Sequence, residues 1–325
     1  MPEVSVLVAV YNAEPWLKTC LDSLLQQTLQ AIQVICIDDG STDGSLALLQ
    51  KYAKHDERIE VVALSENKGQ AHARNQGLKL AKGAYICMVD ADDWLAPDAL
   101  ELAVKGFTPQ TDCVLFEVVR QYENGRTDIY PLPDFTVLSG TEAFRLTLDW
   151  TLHGLYLVRA DLHHKYPFDE TCRLYSDDNT TLIHYLSSRE VRRCAGRYYY
   201  RQHRYSSTNR CSVHRFDHLR ANESLHRQMV ALGMPQSLLD TYEQHRWLVL
   251  VDVYMFYHVH GRQLSAQERA YGLSELHRTW GMISRRALQK ETTAKFGYRP
   301  CRSWSLFRLQ EWLYFTLRGF LGKNR

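Results

Sequence analysis

Tyr85-Ile86-Cys87-Met88-Val89-Asp90-Ala91-Asp92-Asp93 is an apolar run that ends in three carboxylates. A short apolar stretch of this kind reads as a buried strand, so the acids stand where the strand leaves the core and meets water. Oxygen ligands there suit Mg²⁺ or Mn²⁺, which usually bridge to phosphate oxygens instead of sitting in an all-protein cage. A solvated turn or a helix cap accounts for the same residues, since Asp is common at both and Pro97 can open a helix just beyond. Taken alone, Asp-x-Asp favours that structural reading. What precedes it decides otherwise.

Upstream, short β-rich runs alternate with segments of helical period: Val4–Val10 then 16–27, 33–37 then 45–54, Ile59–Ala63 then 70–80, and finally 85–89. A βαβαβαβ order predicts an α/β fold with a parallel sheet covered on both faces. Ligands of such sheets collect at the carboxyl ends of the strands. Tyr11-Asn12, Asp38-Asp39 and Asp90 to Asp93 each follow a strand directly, so three polar clusters far apart in sequence converge on one edge.

Downstream the order is less regular. Residues 113–120 and 127–130 read as strands about an Asn124-Gly125 turn. Residues 139–148 read as a helix, with Ser139 as N-cap and Glu142 completing a capping box. A short strand at 155–158, a helix at 179–186 and an extended region at 191–200 follow, and this half is expected to shape an acceptor site. After about residue 215 the chain reads as helical, broken at Gly233-Met234-Pro235, Gly261 and Gly281. The expected organisation is a catalytic domain at 1–215, with a nucleotide-binding half at 1–105 and an acceptor half at 106–215, and a helical region at 216–325.

The chain has 325 residues, 45% of them hydrophobic, which is enough for a large core and argues against a disordered or fibrous protein. A formal net charge of +2 gives no global attraction to nucleic acid. The eight cysteines are scattered without a C-x-x-C and several fall in apolar runs, as expected of buried thiols in a reduced, cytoplasmic protein. The N-terminus enters a strand almost at once, so no signal peptide is expected. The longest apolar stretch, 247–257, is interrupted by Asp252 and is too short to span a bilayer.

The first βα turn, Val10-Tyr11-Asn12-Ala13-Glu14-Pro15, excludes the dinucleotide fingerprint, which needs Gly-x-Gly-x-x-Gly there. No P-loop lysine motif occurs either. A nucleotide on this sheet therefore needs its phosphates neutralised by something other than a glycine nest, and a cation on Asp90 and Asp92 does so. Tyr11 can cover a base face, and Asp38 or Asp39 can accept a base N–H; packing and turn formation are the plainer roles for each.

Four segments together resemble the successive signatures of family 2 glycosyltransferases: Val4 to Asn12; Ile37-Asp38-Asp39-Gly40-Ser41-Thr42-Asp43-Gly44-Ser45; Asn67-Lys68-Gly69 with Ala73-Arg74-Asn75-Gln76-Gly77; and Val89-Asp90-Ala91-Asp92-Asp93-Trp94. The resemblance implies a GT-A fold: a mixed, mainly parallel sheet flanked by helices, here with a C-terminal helical extension. It also implies a nucleotide-diphosphate sugar donor, a divalent metal and inversion at the anomeric carbon. By motif position Tyr11 and Asp39 contact the base, Arg74 lies near the nucleotide, Asp90 reaches the ribose or the metal, and Asp92 is the direct metal ligand. Asp93 is expected to be a helix-entry residue.

Tyr175-Ser176-Asp177-Asp178-Asn179 resembles the family's Glu-Asp pair at a helix start, which makes Asp178 the catalytic base; Asp177 departs from the more usual glutamate. The same acids can complement a helix dipole. Tyr199-Tyr200-Arg201-Gln202-His203-Arg204 resembles a later segment, Tyr-Arg-x-His, with His203 completing the metal shell and Arg201 or Arg204 meeting phosphate.

Between Arg302 and Arg325 there are five basic residues and one acid, interleaved with aromatic and leucine side chains. On a helical projection Leu306, Leu309, Leu313, Leu317 and Phe320 share a face. Such a helix can lie peripherally on an anionic membrane, on the cytoplasmic face of an inner membrane, or dock on the protein's own core. The sequence thus predicts a Mn²⁺- or Mg²⁺-dependent inverting transferase that moves sugar, from a UDP-sugar, to a hydroxyl of a growing surface glycan such as lipopolysaccharide, capsule or another lipid-linked oligosaccharide. A non-catalytic nucleotide-sugar-binding protein and a sugar-phosphate nucleotidyltransferase are the rivals.

Overall fold

The computed structural model describes residues 1–203 and 211–323, so Arg204 and Arg325 lie outside the described residues. Contacts divide the chain into two compact units, residues 1–170 with 180–206 and residues 171–179 with 207–325.

The first unit is an α/β layer structure. Its strands are β1 (Val4–Val10), β2 (Ile32–Asp38), β3 (Ile59–Ala63), β4 (Tyr85–Met88), β5 (Trp94–Leu95), β6 (Thr111–Tyr122), β7 (Thr127–Ile129), β8 (Val137–Ser139), β9 (Tyr156–Arg159) and β10 (Glu190–Gln202). They form one sheet whose main path runs β3-β2-β1-β4-β9-β6-β10-β5, with β7 on β6 and β8 on β10. Parallel pairing joins β3, β2, β1 and β4. β9 enters antiparallel to both β4 and β6, and β10 then runs parallel to β6, so the sheet is mixed instead of purely parallel.

The helices are α1 (Glu14–Leu25), α2 (Ser45–Ala53), α3 (Gln70–Leu78), α4 (Ala99–Lys105), α5 (Gly140–Thr147), α6 (Ala160–Lys165) and α7 (Ser176–Ser187). Along β1 the side chains alternate between two cores, as a pleated strand covered on both faces requires. Val4, Val6, Val8 and Val10 pack with Leu17, Leu21 and Leu24 of α1, whereas Leu7 packs with Ala71, Ala73 and Leu78 of α3. The capping box expected at α5 is present, with Ser139 Oγ accepting from Glu142 N and Glu142 accepting from Ser139 N. The Asn124-Gly125 hairpin is present too, with Gly125 at φ 82°. The helix that Pro97 can open is α4, whereas the sequence did not reveal β5, β8 or α6, each short and held by neighbours more than by its own pattern.

The second unit is helical: α8 (Asp217–Ala231), α9 (Gln236–His260), α10 (Ala266–Met282), α11 (Lys290–Thr293) and α12 (Trp304–Phe320). The expected breaks fall at Gly233-Met234-Pro235 and Gly261, and α10 ends one residue past Gly281. Its core is aromatic, gathering Phe216, Trp247, Tyr254, Phe307 and Phe315. α12 is docked on that core. Among the described residues no helix is long and apolar enough to cross a membrane. All eight cysteines are described and are free thiols, five of them buried.

Candidate active site

The strand-end motifs of the first unit are bonded to one another in sequence order. At the end of β1, Asn12 N donates to Ser41 Oγ at 3.0 Å and Asn12 Oδ1 accepts Thr42 N at 2.8 Å, which ties the first motif to the second. At the end of β2 the Asp39 carboxylate accepts the backbone N–H groups of Lys68 and Gly69, both at 2.8 Å, and so ties the second motif to the third. Gly40 allows this approach: at φ 70° a Cβ there would meet Glu66 C at 2.8 Å. From α3, Arg74 Nη2 and Gln70 Nε2 donate to Asp90 Oδ1 at 2.6 and 3.0 Å, tying the third motif to the fourth. Asn75 fastens the segment after α6, exchanging bonds with the Phe168 backbone at 2.9 and 3.0 Å and donating to Glu170 Oε1 at 2.6 Å.

The geometry refines the roles read from motif position. Asp39 is buried and grips a loop, although each oxygen keeps a lone pair for a base N–H. Arg74 is also buried, its guanidinium 5.3 Å from the Phe168 ring centre, so it acts through Asp90. Tyr11 is half exposed just past the end of β1.

The acidic turn is held by β10. Asp93 is wholly buried; its Oδ2 accepts the Tyr198 hydroxyl and its Oδ1 the Arg201 N–H, each at 2.8 Å. Asp93 precedes strand β5 and anchors β10, which corrects its assignment as a helix-entry residue. The same hydroxyl accepts Asp90 N at 3.1 Å. Burial first, then the neighbouring Asp90 and Asp92, pushes the Asp93 carboxyl well above the usual carboxylate range. Arg201 Nε donates to Asp92 O at 2.7 Å and its guanidinium lies 4.6 Å from the Trp94 ring centre. His203 Nε2 lies 2.8 Å from Asp92 Oδ2, and its ring stacks on Trp16 at 4.6 Å.

A family model described as Glycosyl transferase family 2 matches residues 5–176, just over half of the chain. The chain belongs to that family. This family 2 chain is 34% identical over 220 residues to the uncharacterized glycosyltransferase EpsJ of Bacillus subtilis, 64% of this chain and 63% of EpsJ. It is 43% identical over 101 residues to the poly(ribitol-phosphate) beta-glucosyltransferase of Bacillus spizizenii, 30% of this chain and 16% of that protein. The chain thus spans less than two thirds of the length of these relatives. Among solved structures, S. aureus TarS in complex with UDP-GlcNAc aligns over 99% of this chain and 93% of its own, with a TM-score of 0.74 and 19% identity. That likeness carries the fold, GT-A.

The acidic turn fits a divalent cation. Carboxylate oxygens of Asp90, Asp92 and Asp93 lie within 4.8 Å of one another, and the Asp92 and Asp90 side chains are partly open to solvent. Asp93, buried with both oxygens engaged, supports the turn. Asp92 and Asp90, with His203 Nε2 2.8 Å from Asp92 Oδ2, offer oxygen donors and one imidazole, a donor chemistry that suits Mn²⁺ better than Mg²⁺.

Asp177 and Asp178 lie in the first turn of α7, whose residues 176–179 group with the second unit and whose remainder groups with the first. Burial, then the adjacent Asp177, pushes the Asp178 carboxyl well above its ordinary value, with Arg215 pulling the other way. Arg215 donates to the Tyr175 hydroxyl at 2.6 Å and to Asp252 Oδ2 at 2.7 Å, and Tyr175, at φ 66°, stacks on His218 at 4.3 Å.

Sequence reading missed Trp16, Gln70 and Tyr198. Only Tyr198 had a signal: alternation along Tyr198-Tyr199-Tyr200 turns its first and third rings to the same face of β10. Trp16 looked like an ordinary apolar position of α1.

Proposed function

We propose that this chain transfers a sugar, with inversion, from a nucleoside-diphosphate donor to a hydroxyl of a surface glycan. The observation that carries the reading is the acidic turn at the carboxyl end of β4, where Asp90 and Asp92 cluster and His203 lies 2.8 Å from Asp92. UDP is the proposed nucleotide, supported by the UDP-GlcNAc complex of the fold neighbour TarS. A surface glycan is the proposed acceptor, supported by the likeness to the poly(ribitol-phosphate) glucosyltransferase.

In the proposed step Asp178 takes the proton of the acceptor hydroxyl, whose oxygen forms the new bond to the anomeric carbon from the face opposite the leaving group. The bond from that carbon to the β-phosphate oxygen breaks, and the electron pair leaves with the nucleoside diphosphate. Asp92, Asp90 and His203 would hold a divalent cation, which would supply charge neutralisation for that leaving group. A carboxyl held well above its ordinary titration range by burial and a neighbouring acid is a stronger base than an ordinary aspartate, which suits Asp178 to this work. Arg74 and Gln70 orient Asp90, and Arg201 holds the Asp92 carbonyl.

Incubating the full chain with a panel of nucleotide sugars and Mn²⁺ tests the reading. Slow release of nucleoside diphosphate from one donor is expected even without acceptor. Pyrophosphate release from a nucleoside triphosphate and a sugar phosphate would instead identify a nucleotidyltransferase, and donor binding without turnover a binding protein.

A further inference from the structure

Helix α12 is apolar on two sides. Phe307 and Phe315 are buried in the core of the second unit, with Trp304 and Tyr314 packed beside them. The opposite side exposes Leu306, Leu309, Leu313 and Leu317, each 40–56% open to solvent, and Phe320, 86% open. The one acid of the helix, Glu311, is buried on the docked side, so the open side presents no carboxylate.

Beside the open side runs a cavity of about 1080 Å³, bounded by α12, the end of α9 and the start of α10. Its lining includes Arg262, Arg269, Arg308 and His258, with Tyr257 and Trp312, and no Asp or Glu. Arg269 is oriented by its own loop, Nη1 donating to Leu264 O at 2.8 Å. A row of open leucines beside three arginines with no counter-charge in the cavity matches a phase that is apolar within and anionic at its surface. A second copy matches less well, because a twofold contact through this patch would set the arginines against their own counterparts.

We propose that the open side of α12 and the adjoining arginine-lined cavity seat the second unit on an anionic lipid bilayer. Leu309, Leu313, Leu317 and Phe320 enter the acyl boundary, and Arg262, Arg269 and Arg308 meet lipid phosphates. Trp312 lies at the headgroup level, where an indole is favoured.

The test uses the full chain in sedimentation with vesicles of phosphatidylcholine alone or of equimolar phosphatidylcholine and phosphatidylglycerol. Binding about tenfold or more tighter to the anionic vesicles is expected, weakening as salt is added. The pairs L313S/L317S and R262Q/R308Q, all at solvent-facing or cavity-lining positions, should each lower that binding about tenfold. Nucleotide release from the donor should be unchanged in both variants, and it reports on the transfer reading separately. Equal binding of the native chain to both vesicle types overturns the proposal without any variant. So does displacement by millimolar inorganic phosphate, which would mark a free-anion site, or a self-associated chain that L313S/L317S dissociates while vesicle binding is absent.

Discussion

The Tyr198 hydroxyl donates to the buried Asp93 carboxylate at 2.8 Å while accepting the Asp90 N–H at 3.1 Å. One phenol on β10 thereby holds both ends of the acidic turn. Tyr198→Phe keeps the ring and removes the bridge, leaving a buried carboxylate oxygen and a backbone N–H without that partner. The expected cost is about 1–3 kcal/mol of stability, read by denaturant unfolding, with weaker Mn²⁺ dependence of nucleotide release. A variant that matches the native chain in both would show that the turn holds itself.

Trp16 positions His203 by stacking. Trp16→Leu keeps an apolar residue but removes the flat partner, so His203 loses its fixed orientation against Asp92. The expected result is a roughly 10- to 100-fold rise in the Mn²⁺ concentration needed for half-maximal turnover, with kcat recovering at saturating Mn²⁺. His203→Gln should shift the same titration further. If kcat falls and the metal titration stays put, Trp16 serves something other than the metal site.

Asp178 must be ionised to accept a proton, so turnover should rise with pH through its folded-state pKa. That pKa lies well above the ordinary 3.8, through burial and then Asp177. Asp177→Asn removes the like charge and should move the acid limb of the kcat profile to lower pH. Asp178→Asn should lower kcat by at least about 100-fold with donor binding nearly unchanged. An acid limb that stays in place in Asp177→Asn would remove the pairing argument, and full turnover by Asp178→Asn would remove the base.

Burial raises the Glu311 carboxyl from 4.5 to about 8; its Oε1 accepts Gln310 Nε2 at 3.0 Å and its Oε2 has no partner. Between these values the folded chain holds a proton that the unfolded chain has released. Stability therefore falls as pH rises through that window. Glu311→Gln removes this slope: it should match the native chain below about pH 5 and exceed it by roughly 1–4 kcal/mol above pH 8. Thermal melts across pH decide it, and parallel curves for the two proteins would refute the assignment.

Much of this architecture was legible because short-range rules apply to it. Val4–Val10 shows the near-continuous apolar run of a strand covered on both faces, Ser139 and Glu142 close a box within one turn, and Asn124-Gly125 reverses a hairpin, each a pattern carried by a few consecutive residues. Elements such as β5 were hidden because two residues paired to Tyr198 and Tyr199 carry no pattern of their own.

The chain order alone determined that three polar clusters would share one edge of a sheet, because consecutive parallel strands place their carboxyl ends on the same side. It also identified Asp90 and Asp92 as the acids of that edge. Only the tertiary structure decided what each acid does there, since hydrogen bonds to Tyr198, Arg74 and His203 span between 16 and 111 residues of sequence. For the same reason α12 could be read as apolar but not as apolar twice over: periodicity finds a stripe, and only packing shows which stripe the core has taken.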